Sequence, residues 1–155
     1  MSIPKTFKIN ACRLCKNKKM IKIFSYGNIF VSNFVEKKNI KKGIKAPLDL
    51  IYCKKCKLLQ LNHSAPQEIM YKKFYWYRSG VTNTMKLALK DIAQVIKKMK
   101  ILKKNDTILD IGANDGTFLS YFNKKKYNRI GCEPAKNLQK FLKKNCDYVL
   151  DDFWE

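Results

Sequence analysis

No stretch of this 155-residue chain stays apolar for the roughly 18 residues that a membrane-spanning helix requires. Its opening, Met1-Ser2-Ile3-Pro4-Lys5, lacks the apolar core of a secretory signal, so the expectation is a cytoplasmic protein. Acidic residues are few, 12 against 33 basic ones, for a formal charge of +21. Arginine is confined to Arg13, Arg78 and Arg129, although guanidinium is the preferred group for phosphate and base contacts. The lysines that carry the charge are spread along the chain, many on what would be solvated helix faces. Abundant Lys, Ile and Asn together are the bias of an AT-rich genome. These features count against a nucleic-acid-binding role. Repeats and low-complexity linkers are missing, and an apolar content of 46% excludes general disorder. Histidine occurs once, as His63.

The cysteines do not form a secreted disulfide framework. Four of the six make two Cys-x-x-Cys pairs, Cys12/Cys15 and Cys53/Cys56, while Cys132 and Cys146 sit in apolar segments as ordinary core residues. Each pair places two thiolates on one tight turn, and two facing turns supply the closed tetrahedral site of structural zinc. Arg13, Lys54 and Lys55 beside the thiols would favour thiolate. The 37 residues between the pairs exceed the usual zinc-ribbon gap, a length that costs little loop-closure entropy. A redox pair or an iron–sulfur cluster are the alternatives. His63 could ligate, but four sulfurs already close the site.

The second focus is Thr107-Ile108-Leu109-Asp110-Ile111-Gly112-Ala113-Asn114-Asp115-Gly116-Thr117-Phe118-Leu119. An apolar, β-branched run with the composition of a strand buried on both faces meets a glycine-bearing turn and then a helical period. That order brings backbone N–H groups and a helix N-terminus to one point. Asp110 and Asp115 are out of place in a pyrophosphate cradle, and Asn114 stands where a dinucleotide fingerprint needs glycine. Glu133 ends the next strand-like run, Arg129–Glu133, where an acid suits ribose hydroxyls.

These residues resemble motif I and the following acidic position of class I S-adenosylmethionine (SAM) methyltransferases. A fuller resemblance takes in Cys12-Arg13-Leu14-Cys15, Pro47-Leu48-Asp49-Leu50, Cys53-x-x-Cys56 with Leu58-x-Gln60-Leu61, the Gly112–Leu119 turn and Glu133-Pro134-Ala135, in that order. Together they look like the SAM-dependent sugar C-methyltransferases, which place a small zinc-binding domain ahead of a Rossmann-like methyltransferase domain. The resemblance runs from about Cys12 to Phe153. Lys57 departs from it, standing where glycine often follows the second cysteine pair. It implies SAM and structural zinc as cofactors, and a nucleotide-linked keto-sugar, methylated at a carbon next to the keto group, as small-molecule substrate. It also places Tyr77-Arg78-Ser79-Gly80 near the cofactor cleft, with Tyr77 and Ser79 as candidate contacts.

The expected architecture is α/β: a zinc-ribbon-like module over residues 1–65, an aromatic connector and packing helix over 66–104, and the first part of a SAM-binding domain over 105–155. Apolar residues at Val81, Met85, Ala88/Leu89, Ile92, Val95/Ile96, Met99 and Leu102 predict a helix with one buried stripe. Asp110, Gly112, Asn114, Asp115, Gly116 and Glu133 are the expected cofactor residues. No catalytic base is evident, and the resemblance places it beyond Glu155, so the chain is expected to be an inactive N-terminal fragment. The rival expectation is a zinc-ribbon nucleic-acid-binding module, which leaves Asp110, Asp115 and Glu133 unexplained.

Overall fold

The computed structural model describes residues 6–31, 37–72 and 75–154. Expectations that fall on residues 1–5, 32–36, Phe74 and Glu155 lie outside the described residues. The chain divides into two compact units, Met1–Met70 and Tyr71–Glu155. No helix among the described residues is long and apolar enough to cross a membrane.

The first unit is built on antiparallel strands. Strand β1 (Phe7–Lys8) pairs with β5 (His63–Ser64), and β2 (Ile21–Phe30), β3 (Lys45–Tyr52) and β4 (Leu59–Leu61) form a sheet in the order β2-β3-β4. Gly27-Asn28, which reads as a turn in the sequence, lies inside β2. There Gly27 takes φ +70° and the register with β3 shifts between Ser25 and Asn28, so the chain bulges and continues. Pro47 is tolerated in β3 because β4 pairs only with Leu50–Tyr52, leaving the proline's other edge free of a ladder. Most of β2 is exposed, and the few fully buried residues include Cys12 and Cys53. A unit with so small an apolar core needs a metal or another staple to hold it.

The second unit follows strand–helix alternation. Helix α1 (Asn83–Lys98) is capped by Thr82, whose Oγ1 accepts the Met85 N–H. Then come β6 (Thr107–Ile111), α2 (Thr117–Ser120), β7 (Asn128–Cys132), α3 (Gln139–Asn145) and β8 (Tyr148–Leu150). The sheet is parallel, ordered β6-β7-β8, with Thr107 opposite Asn128 and Ile130 opposite Tyr148. This is an α/β arrangement whose parallel sheet fits the start of a Rossmann-like fold. Leu119 and Leu142 pack with Ala113 and Cys146, and Phe122 stacks edge-on against Phe118 and Tyr127. Each such fully buried side chain contributes roughly 1.5–3 kcal/mol. Arg129, almost fully buried, makes a bidentate pair with Asp147 that ties the base of β7 to the entry of β8.

Three expectations are corrected. The α1 stripe divides: Met85, Leu89, Ala93 and Ile96 turn inward, whereas Ile92, Val95 and Met99 are more than half exposed. Strand β6 is not buried on both faces, since Leu109 and Ile111 are exposed and β6 is an edge of the described sheet. In the sequence Pro134 reads as opening a helix over Ala135–Asn145, whereas α3 begins at Gln139 because residues 136–138 form a turn first.

Candidate functional site

The two Cys-x-x-Cys segments fold as the same knuckle. In the first, the Cys12 N–H donates to Asn17 O and Lys16 N–H to Cys12 O; in the second, Cys53 N–H donates to Leu58 O and Lys57 N–H to Cys53 O. Each knuckle closes on a lysine in the left-handed region, Lys16 at φ +59° and Lys57 at φ +66°. The four Sγ atoms lie within 4.8 Å of one another, with Cys12–Cys56 and Cys15–Cys53 at 3.5 Å. Tetrahedral zinc with Zn–S near ~2.3 Å needs sulfurs about 3.8 Å apart, so this donor set fits the ion.

The electrostatics point the same way. The Cys53 thiol is pulled down to about 6, first by the Cys56 backbone N–H and then by Asn17, whose Nδ2 donates to Cys53 Sγ. Cys12 is lowered, chiefly by the Cys15 backbone N–H. Cys56 feels a lowering N–H at Leu58, but burial and the three neighbouring thiols push it up to about 12. Four thiolates at this spacing require a cation. The groups that favour thiolate are backbone N–H donors and Asn17, not the lysines the sequence pointed to. Arg13 instead donates to Leu61 O and Ser64 Oγ, while buried Gln60 accepts the Arg13 N–H. The sequence assigned no role to Asn17, two residues after Cys15, or to Gln60, four residues after Cys56, and spacing alone gave no signal for either. His63 stands outside the thiol cluster, with its Nδ1 3.6 Å from Asp49 Oδ2.

In the second unit, β6 ends in a turn where Gly112, Asn114 and Gly116 all have positive φ, +76°, +54° and +77°. A Cβ on Gly116 would lie 2.8 Å from Asn145 Cβ, so this glycine is fixed by packing as well as by φ. A Cβ on Gly112 would meet nothing within 4 Å, which leaves its backbone open to a ligand. The turn is locked to β7 by Gly112 N–H and Ala113 N–H on Cys132 O.

Three expected cofactor residues also have work inside the fold. Asn114 accepts the Ser79 N–H through Oδ1 and donates to Tyr77 O through Nδ2. Asp115, almost fully buried, accepts from Gly80 N–H, Thr117 N–H and Thr117 Oγ1. Arg78 Nε stands 3.7 Å from the same carboxylate. These bonds buckle segment 77–80 onto the turn. Glu133 is equally buried, and its two oxygens accept Asn114 N–H and Ala135 N–H, each at 2.9 Å.

A cavity of about 220 Å³ opens beside the turn, lined by Ser79, Leu89, Ile92, Asp110, Gly112, Ala113, Asn114 and Phe118. It lies at the carboxyl end of β6, where open α/β sheets take ligands. Its volume is below the roughly 300–1,000 Å³ of a whole small-molecule site, so it suits part of a larger ligand. Asp110 is its one ionisable group, pushed up to about 6 by burial and then by the charge of Glu133. A cationic group beside Asp110 would relieve both causes. Tyr77 is exposed and does not line this cavity, whereas Ser79 does.

Comparison with known proteins defines first a module and then a relative. Residues 12–71 match the family model described as "Putative zinc binding domain". Over 132 residues the chain is 23% identical to the C-methyltransferase NovU of Streptomyces niveus, covering 84% of this chain and 31% of that protein. The chain therefore spans about a third of the length of the curated relative it matches. Both findings support the resemblance carried by the motifs, that of the sugar C-methyltransferases with an N-terminal zinc-binding domain. The matched domain and the four-thiol cluster likewise support zinc.

Proposed function

We propose that this chain supplies the zinc lobe and the cofactor-binding turn of a SAM-dependent C-methyltransferase acting on a nucleotide-linked keto-deoxysugar. Zinc would be held by Cys12, Cys15, Cys53 and Cys56, in a structural role because four protein sulfurs leave no open position. The observation that carries the SAM reading is the cavity at the end of β6, where an open Gly112 backbone meets the raised Asp110 carboxyl. SAM supplies an electrophilic methyl group on a cationic sulfonium, and its amino-acid portion adds an ammonium. Gly112 gives backbone access, Asp110 offers negative charge in a half-buried setting, and Ser79 and Asn114 close the wall. Glu133 holds the turn by its two backbone hydrogen bonds, and each oxygen keeps a second lone pair for a ribose hydroxyl.

Proton abstraction next to a keto group requires a base. Asp110 is the cavity's one ionisable residue and is proposed for the cofactor, so residues 1–155 alone should bind SAM without turning it over. A nucleic-acid-binding zinc ribbon would account for the thiols and the charge but not for Asp110 in this cavity. Incubation with methyl-labelled SAM and keto-sugar nucleotides tests the reading. Saturable SAM retention without product is expected of this chain, and failure to retain SAM would overturn it.

A further inference from the structure

The β2-β3-β4 sheet has its polarity inside out. Residues paired across strands share a face, so Ile21, Tyr52 and Leu59 form one rung and Phe24, Leu50 and Leu61 the next. Ile29 pairs with Ala46 on the same side, and every residue of this set is apolar or aromatic. The alternate set holds Lys22, Ile51 and Gln60 on one rung and Ser25 with Asp49 on another. That side is the packed one: Ile51 and Gln60 are buried, and Gln60 accepts the Arg13 N–H of the first cysteine knuckle. The charged residues of the three strands are Lys22, Lys45 and Asp49, and all belong to the alternate set. An antiparallel sheet covered on one side ordinarily turns apolar residues to the core and polar ones to water. Here Gln60 lies inward, while Leu59 and Leu61 on either side of it stand in solvent.

We infer that this bare face joins two copies of the chain, their sheets packed face to face about a two-fold axis. Phe24, Tyr26 and Leu59 are more than half exposed, and Ile21, Ile29 and Leu61 about two-fifths. Tyr26 lies edge-on to Phe24 at 4.7 Å between ring centroids and widens the strip. Six large side chains at these exposures leave on the order of 600 Å² uncovered, the upper end of what a monomer shows. Two such faces together remove about 1,200 Å², the lower end of a specific interface. Flat sheet faces packed about 10 Å apart are self-complementary, as an isologous contact requires. The face carries no charge, so pairing buries no ion despite the net +21 of each copy. An acidic partner would call for cations set among the apolar side chains, and this face has none. The inference does not rest on the methyl-transfer reading.

Sedimentation equilibrium of the zinc-loaded chain tests it. A monomer–dimer equilibrium is expected, with a Kd on the order of 1–100 µM for an interface of this size. Raising NaCl from about 50 to 500 mM should tighten it, because salt screens the repulsion between lysine-rich copies and leaves apolar burial intact. Phe24→Lys/Leu61→Lys should weaken dimerisation at least about tenfold while zinc stays bound. Phe24→Thr/Leu61→Thr keeps strand propensity and should weaken it in the same direction, which covers the case where the lysine pair fails to fold. Val95→Lys/Met99→Lys changes exposed apolar residues of α1 and should alter the Kd less than about twofold. A monomer throughout the range, or open-ended aggregates without a dimer, would overturn the proposal. So would a dimer that dissociates as salt rises, or one lost in the α1 variant and kept in both sheet variants.

Discussion

Replacing Glu133 should unfold the second unit before it says anything about ribose. The carboxylate is almost fully buried, and its two oxygens accept the backbone N–H groups of Asn114 and Ala135 at 2.9 Å. Hydrogen bonds to a charged acceptor contribute roughly 1.5–3 kcal/mol each, and a buried donor left without a partner costs about 1–3 kcal/mol. Glu133→Ala removes both acceptors and should destabilise by roughly 3–5 kcal/mol, a large part of the 5–15 kcal/mol typical of a domain. Glu133→Gln keeps one carbonyl but turns an amide N–H₂ toward a backbone N–H, and should cost about half as much. Urea unfolding followed by the fluorescence of Trp76 and Trp154 measures both. A loss under about 0.5 kcal/mol in Glu133→Ala, the range of neutral surface substitutions, would refute the reasoning.

Cys53→Ser removes one of four sulfurs and the thiol most readily ionised, so elemental analysis after mild chelation should find the variant without zinc; full zinc retention would reject the ligand set. Lys57→Gly relieves a left-handed residue at φ +66° and should stabilise the zinc-loaded first unit by up to about 1 kcal/mol, read as a higher Tm. Asp110 has a folded pKa near 6 against 3.8 when unconstrained, so the native state holds its proton more tightly and loses stability as pH rises from about 4 to 6. Asp110→Asn should therefore stabilise by roughly 1–2 kcal/mol at pH 7.5, after discounting for solvent screening at this half-exposed site, with the gain gone by about pH 4; a pH series of urea melts checks it.

The sequence reads most clearly where spacing alone sets geometry. Two Cys-x-x-Cys pairs can bring four sulfurs together only as facing turns, and they do so here. The strand–turn–helix order at Gly112–Gly116 was equally legible, because positive φ and close packing admit few residues. What misled was one-sided burial. The apolar period of α1 is regular, yet Ile92, Val95 and Met99 are exposed, since a period fixes which residues share a face and not how much of that face is covered. Gly27-Asn28 misled for a related reason: the same dipeptide serves a turn or a bulge, and only the pairing of β2 with β3 decides. The inward roles of Asn114, Asp115 and Glu133 could not be read from spacing either, because Asn114 and Asp115 hold Ser79 and Gly80, 35 residues earlier, and Glu133 holds Asn114, 19 residues earlier.

The most direct test of the central claim is calorimetric titration of SAM into the zinc-loaded chain and into Asp110→Asn at pH 7.5. One saturable site per chain is expected. Asp110→Asn should weaken it at least about tenfold through loss of a charge-assisted contact, even as the same variant gains stability. Affinity in the unmodified chain should also fall as pH drops through about 6 and Asp110 takes up its proton. No saturable binding, or equal affinity in the two proteins across that pH range, would contradict the assignment of this turn to SAM.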